Sequence, residues 1–334
     1  MPEAHSPLLP SPGLSPVPSR PSPEGTILAL DIGGTKVALG LYDPRTDQLA
    51  AEFRFPVQSP FADLNRSYGP VLSPEDVAQR IEAFVRTQED LPPITRVSVS
   101  LAAAPSRDGR SILYAPNLPG WEGEDLVRQL EQRFTAPAHL IQDGHATTLG
   151  ELHRGHLRGV RDGACVTIGT GIGGGIVVGG TLMRGANGLA GVGGYIPVSS
   201  GGRIVPLEQA VAGPAFEKRA HALGLSGDAS AVLAAAGAGH SGATDLLQEV
   251  LGELAQGLAA LVSLLNPERV VLAGSMGLAY ARYIPTLARQ VRGLAQPTAA
   301  ATVEFRPAAL AKRSALWGAV FDQACLPRSF GTPP

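Results

Sequence analysis

Residues 26–32 (TILALDI) form an apolar run that ends in paired glycines, the pattern of a buried strand entering a turn. KVALGLYD then predicts a second strand and AEFRFPV a third, the three joined by two tight hairpins. SPEDVAQRIEAFVRTQ changes period. Ser73 suits an N-cap, Pro74 the first helical position, and Val77, Ile81, Phe84 and Val85 keep helical spacing. RVSVSLAAA predicts a strand, EDLVRQLEQRF a helix, HLIQD a strand, and HATTLGELHRG a helix starting near His145.

The opening pattern then recurs. ACVTIGTGIGGGIVVGGTLM is again an apolar strand, a glycine turn and an apolar strand. A long helical stretch follows, TDLLQEVLGELAQGLAALVSLL, then strands at RVVLAGSM and TVEFRP, and a closing helix at LWGAVFDQA. Strand hairpins followed by alternating strands and helices, done twice, predict an α/β protein of two related domains flanking a cleft. The expected division is residues 25–122 plus 308–326 for a smaller domain and 123–307 for a larger one, with the last helix packing back on the first.

Composition narrows the class. Hydrophobic residues make up 44% and charged residues 17% of the 334, which suits packed cores. The formal net charge of −2 gives no support for nucleic-acid or anionic-membrane binding. Cys165 and Cys325, each in an apolar stretch that reads as buried, make no disulfide scaffold and fit a reducing, cytoplasmic setting. The Pro/Ser-rich residues 1–24 lack the apolar core of a signal peptide and read as a disordered tail.

Two turns and one carboxylate carry candidate chemistry. In DIGGTK (Asp31 to Lys36) the glycines allow backbone N–H groups to converge on an anion. Thr35 adds a hydroxyl, and Asp31 is placed to hold a Mg²⁺ water. Paired glycine also suits a type I′ hairpin, so this turn alone does not separate the readings. GTGIGGG places Gly169, Gly171 and Gly174 at dinucleotide-fingerprint spacing, but that fingerprint must open a helix and a strand follows here. A second phosphate-binding hairpin fits better, and two such turns could grip one nucleotide from both sides. Asp143 stands at a strand end before a helix. It is placed either to accept a proton from a substrate hydroxyl or, the better reading for the residue taken alone, to cap the helix.

Together these segments resemble the ROK family of sugar kinases, in the actin/hexokinase-like (RNase H-like) superfamily, from about Thr26 to Ala324. DIGGTK resembles the family's first phosphate motif, APNLPGW (Ala115 to Trp121) its sugar-side loop, and IQDGHATTLGE its N-D-x-N-x-x-x-x-G-E element. TIGTGIGGGIVVGGTLMRGANGLAG is similar to the second glycine segment, and LNPERVVLAGS to the segment near the adenosine. The resemblance implies phosphorylation of a hexose-like sugar with ATP and Mg²⁺, and a homodimer. Asp143 would be the catalytic base. Asp31, Gly33, Gly34, Thr35, Lys36, Gly169, Thr170, Gly171 and Gly274 would bind nucleotide; Asn117, Gln142 and Glu208 would bind the sugar.

The chain also departs from the family. Where the family carries A-G-E-x-G-H, this sequence has Val192 in place of the sugar-binding Glu and Tyr195 in place of the His that binds sugar and zinc. The following zinc loop is replaced by the shorter, cysteine-free PVSSGGRIVPLE, so no zinc is expected, and Val192 and Tyr195 are expected to make the cleft wall more apolar. Gln142 stands for the family's Asn. LAAAPSRDG lacks the family's P-G, with Arg107 as a possible substitute. His153 and His156 are read as a solvated pair. These changes suggest an altered substrate, with a sugar- or nucleotide-binding pseudokinase as the alternative. A repressor of the same family would need a helix-turn-helix that residues 1–24 do not suggest.

Overall fold

The structure, a computed structural model, describes residues 25–57 and 71–322; the expected tail and Cys325 lie outside the described residues. The first half opens with β1 (Thr26–Ile32), β2 (Lys36–Asp43) and β3 (Gln48–Pro56), followed by α1 (Pro74–Arg86) and β4 (Ile94–Leu101). A small hairpin, β5 (Ala104–Pro105) and β6 (Ile112–Tyr114), precedes α2 (Leu126–Phe134) and β7 (Ala138–Gln142). These strands form a five-stranded sheet in the order β3-β2-β1-β4-β7, antiparallel through the hairpins and parallel through β1, β4 and β7.

After α3 (Asp143–Arg154) the scheme repeats with β8 (Gly163–Ile168), β9 (Ile172–Val178) and β10 (Thr181–Met183). A second small hairpin, β11 (Pro197–Ser200) and β12 (Arg203–Pro206), leads to α4 (Leu207–Val211), α5 (Gly213–Ala222), α6 (Ala229–Gly237) and the long α7 (Ser241–Leu265). Then come β13 (Arg269–Ala273), α8 (Gly274–Ala279), α9 (Ile284–Arg292), α10 (Pro297–Thr302), β14 (Glu304–Pro307) and α11 (Ser314–Phe321). The second sheet has the order β10-β9-β8-β13-β14, the same plan as the first. This duplicated sheet is the actin/hexokinase-like fold.

Helices cover both faces of each sheet, which is why the central strands read as unbroken apolar runs rather than as alternation. Leu28, Leu30 and Ile32 of β1 pack on one face with Val77 and Ile81 of α1, while Ile27 and Ala29 face Leu316, Ala319 and Val320 of α11. In the second sheet, Ala164, Val166 and Ile168 face the cluster built around α7, and Cys165 faces the other side. Two boundaries differ from expectation. Gly274, Ser275 and Met276 open α8 rather than extending β13, and α3 begins at Asp143, two residues before His145.

Helices α3 and α11 cross at close range. A Cβ at Gly318 would fall 1.6 Å from the Ala146 carbonyl oxygen, and one at Gly150 would fall 2.0 Å from that of Ser314. Only glycine lets the two backbones approach this far. Glu151 of α3, wholly buried, accepts hydrogen bonds from the Ser314 hydroxyl (2.9 Å) and from the N–H groups of Leu310 (3.1 Å), Ala309 (3.0 Å) and His156 (3.0 Å). A buried carboxylate this well satisfied fixes the returning segment onto α3.

Candidate active site

The candidate residues gather at the carboxyl ends of the parallel strands, where open α/β sheets bind ligands. In register, Ile32 of β1 pairs with Leu101 of β4, and Leu101 with Gln142 of β7. Asp31 therefore stands one residue from the end of β1, opposite Ser100, whose hydroxyl donates to Asp31 Oδ1 at 2.8 Å. Burial raises the Asp31 pKa, against the lowering effect of that hydrogen bond and of the Arg54 charge. Ser100 was not singled out in the sequence, although its place among apolar neighbours in RVSVSL was a signal: a hydroxyl in a buried strand needs a partner.

The turn after β1 joins Ile32 to Val37. Gly33 N–H donates to the Lys36 carbonyl at 2.9 Å, and Val57 N–H to the Thr35 carbonyl at 3.0 Å. Thr35 and Lys36 are exposed. None of Gly33, Gly34, Gly169 or Gly171 has positive φ, so neither turn is a type I′ hairpin, which needs positive φ at both central residues. Gly34 and Gly171 answer instead to close approach. A Cβ at Gly34 would lie 2.9 Å from the Asn117 Cβ, which places the first turn against the APNLPGW loop. That loop is anchored by buried Leu118 and by Trp121, whose ring N–H donates to the Leu72 carbonyl at 2.9 Å, leaving Asn117 exposed between them.

The second turn joins Ile168 to Ile172 through Gly169, Thr170 and Gly171. Gly173, Gly174 and Gly175 lie in β9, a strand, where the dinucleotide reading would need a helix. Gly169 N–H donates to the Gly171 carbonyl at 2.9 Å, and Gly213 N–H, at the start of α5, to the Gly169 carbonyl at 2.9 Å. Gly274 packs beneath: its φ is +78°, and a Cβ there would fall 2.3 Å from the Ile168 carbonyl oxygen. Ser275 Oγ lies 3.9 Å from the Cβ position of Gly169.

Asp143 is the first residue of α3, and Gln142 is the N-cap, with no side-chain cap bond. The capping role considered for Asp143 is therefore not the one it takes. Its Oδ1 accepts the N–H of Gly144 at 2.7 Å and lies 3.7 Å from the Cβ position of Gly173, just beyond the second turn. Asp31 is close enough for its charge to act on Asp143. Burial, reinforced by the Asp31 charge, pushes the Asp143 carboxyl up to about 6. Asp143 thus lies against a residue following the second turn and within reach of the charge of a residue preceding the first. Beside it Gln142 is buried, at 8% exposure, and its Oε1 has no hydrogen-bond partner among the described residues.

Other candidates take different places. Glu208, in the first turn of α4, accepts the N–H of Ile172 on its Oε2 at 2.7 Å. The segment standing where the family has its zinc loop is the β11–β12 hairpin, turned by Gly201 and Gly202 at φ +55° and +74° and held to α7 by Gln256. That side chain accepts from Ser199 N–H (2.9 Å) and donates to its carbonyl (3.1 Å). Tyr195 is 70% exposed, so its ring stands in solvent rather than packed into a wall. Of the pair read as solvated, His156 is exposed and His153 is not. His153 stacks on Phe321 at 4.5 Å between centroids, and burial drives its pKa down to about 4; His156 Nδ1 bonds the Pro307 carbonyl at 2.7 Å. Among the described residues no group of three or more His, Cys, Asp and Glu side chains could hold a metal ion, and no helix is long and apolar enough to cross a membrane.

A duplicated sheet with glycine turns and carboxylates at the strand ends defines a member of the actin/hexokinase-like class. The chain belongs to the ROK family, whose model matches residues 27–321. It is 31% identical over 265 residues to the N-acetylmannosamine kinase of Shigella flexneri, covering 76% of this chain and 84% of that protein. It is 28% identical over 276 residues to the glucokinase of Streptomyces coelicolor, covering 75% and 82%. A shorter match, 40% over 154 residues, is to the bifunctional enzyme NanE/NanK of Brucella melitensis, of which this chain spans 30%. Among solved structures, the ROK family glucokinase of Streptomyces griseus in complex with glucose and AMPPNP superposes with a TM-score of 0.68 at 28% identity, over 89% of this chain and 98% of that one. The Shigella and Streptomyces coelicolor relatives, each matched over most of its length, are sugar kinases.

Proposed function

We propose that this protein transfers the terminal phosphoryl group of ATP to a hydroxyl of a hexose or hexose-like sugar. The observation that carries the reading is Asp143 at the start of α3: its Oδ1 lies 3.7 Å from the Cβ position of Gly173, just past the second glycine turn, and burial, with the Asp31 charge, raises its carboxyl to about 6. A base poised near neutral pH can take the hydroxyl proton as the new P–O bond forms. The turns Gly33–Lys36 and Gly169–Gly171, with Gly274 beneath the second, would hold the nucleotide. The exposed Lys36 would add positive charge, and positioning would supply most of the rate. Among the described residues, neither Thr170 N–H nor Gly171 N–H donates to a protein acceptor, which leaves both for phosphate oxygens.

Asp31 is a half-buried carboxyl with its pKa raised, and its charge acts on Asp143, an oxygen-donor set that suits Mg²⁺ bound together with phosphates. When bound there, the ion would neutralise charge on the transferring phosphoryl group. Gln142, whose buried Oε1 is unpartnered among the described residues, and exposed Asn117 would orient the sugar. Closure of the two halves, residues 25–122 with the segment from 308 on, and residues 123–307, would exclude water. A coupled ADP-release screen over glucose, mannose, fructose, allose, N-acetylglucosamine and N-acetylmannosamine tests the reading. Turnover of one of them supports it, whereas ATP binding with no turnover of any sugar favours the pseudokinase alternative, to which Val192 and Tyr195 point.

A further inference from the structure

The second glycine turn is held from outside by one short stretch of chain. Gly213 N–H fixes the Gly169 carbonyl at 2.9 Å, and Glu208, five residues earlier, fixes the Ile172 N–H at 2.7 Å. The fit around Glu208 is tight: a Cβ at Gly171 would lie 2.6 Å from Glu208 Oε2, and one at Gly194 would lie 3.4 Å from the Glu208 Cβ. Glu208 is itself fixed by its helix. Leu207 N–H donates to the Ile196 carbonyl (2.8 Å) and Ala212 N–H to the Glu208 carbonyl (3.2 Å).

This arrangement has an electrostatic consequence. Ile172 N–H, the amide that follows the turn, is spent on a carboxylate and is not offered to an anion. A carboxylate beside a phosphate site also opposes phosphate binding by its charge. Its presence is explained if the bond it makes, a charge-assisted one, sets the turn so that the Thr170 and Gly171 N–H groups point outward together. We propose that Glu208 is a positioning residue for the nucleotide, holding the Gly169–Gly171 turn through Ile172, rather than a residue whose main task is to contact the sugar. The inference rests on the kinase reading for the identity of the anion, but the bond itself does not.

The test compares Glu208→Ala and Glu208→Gln with the wild type. Glutamine keeps an oxygen that can accept from Ile172 N–H; alanine does not. Affinity for a fluorescent ATP analogue, measured without sugar, is expected to weaken about tenfold in Glu208→Ala, the size of losing one hydrogen bond to a charged group. In Glu208→Gln it should stay within about twofold, since the neutral bond keeps the geometry. Hydrogen–deuterium exchange of the peptide spanning Gly169–Ile172 reads the bond without any ligand, and should speed up in the alanine variant alone. ATP affinity unchanged in both variants, with sugar KM raised in both, would overturn the proposal in favour of a sugar contact. Should the wild type bind no ATP, the kinase reading fails, and exchange still decides the role of Glu208: equal exchange in all three proteins overturns it.

Discussion

Desolvation, reinforced by the charge of Asp31, raises the pKa of Asp143: one carboxyl comes from the end of β1 and the other from the start of α3. The shift has a sign that can be checked. A carboxyl whose folded pKa, about 6, exceeds the ordinary value of 3.8 is favoured by folding in its protonated form. That stabilising contribution is complete below about pH 4 and is lost as pH rises through about 6. Asp143→Asn, neutral throughout, should therefore be more stable than the wild type at pH 8 by up to ~3 kcal/mol, with little difference near pH 4. Urea melts of the magnesium-free protein at the two pH values check this. A variant less stable than the wild type at pH 8 would contradict it.

The same pKa predicts the acid limb of the rate profile. Asp143 must be ionised to accept a proton, so turnover should fall as pH drops below about 6. A turnover number that stays flat down to about pH 4.5, with the fold intact by circular dichroism, would remove a group of this pKa from the rate-limiting step.

Crowding at the two turns predicts a split between stability and binding. In Gly34→Val the new side chain meets Asn117, and in Gly171→Val it meets the Glu208 carboxylate. Neither position has positive φ, so the backbone itself tolerates a side chain and the damage should be local. ATP affinity is expected to drop by more than about tenfold in both, with loss of folding stability held to the roughly 1–3 kcal/mol of local overpacking. A pure hairpin role would show the reverse, lower melting temperature with normal ATP affinity in the folded fraction.

Metal dependence should divide by ion. The β11–β12 hairpin is closed by its Gly201–Gly202 turn and by Gln256, and its own sequence, PVSSGGRIVP, offers no thiolate for zinc. A zinc-selective chelator is expected to leave melting temperature and turnover unchanged, while removal of Mg²⁺ should abolish phosphoryl transfer. Elemental analysis finding one tightly held zinc per chain would contradict this.

How much of this was legible in the sequence depended on whether a feature is local. The repeated strand–turn–strand pattern is written in consecutive residues, so the duplicated sheet and both glycine turns could be read. The switch from β13 to α8 at Gly274 could not, because RVVLAGSM stays apolar through it and shows no change of period. The Glu208 bond to Ile172 spans 36 residues and the stack of His153 on Phe321 spans 168, and no local pattern announces either. The close crossing of α3 and α11 likewise depends on Gly150 and Gly318, unremarkable glycines until the helices meet. Ser100 was readable in principle, since a serine amid buried valines calls for a partner, and Asp31 is that partner.

The most direct test of the central claim is the turnover of Asp143→Asn with whichever sugar the screen identifies, measured beside its affinity for ATP. The substitution keeps the shape of the side chain and removes its basicity. Turnover is expected to fall by about 10²-fold or more, the usual contribution of a general base, with ATP affinity within about twofold of the wild type. Wild-type turnover in Asp143→Asn would contradict the assignment of Asp143 as the base.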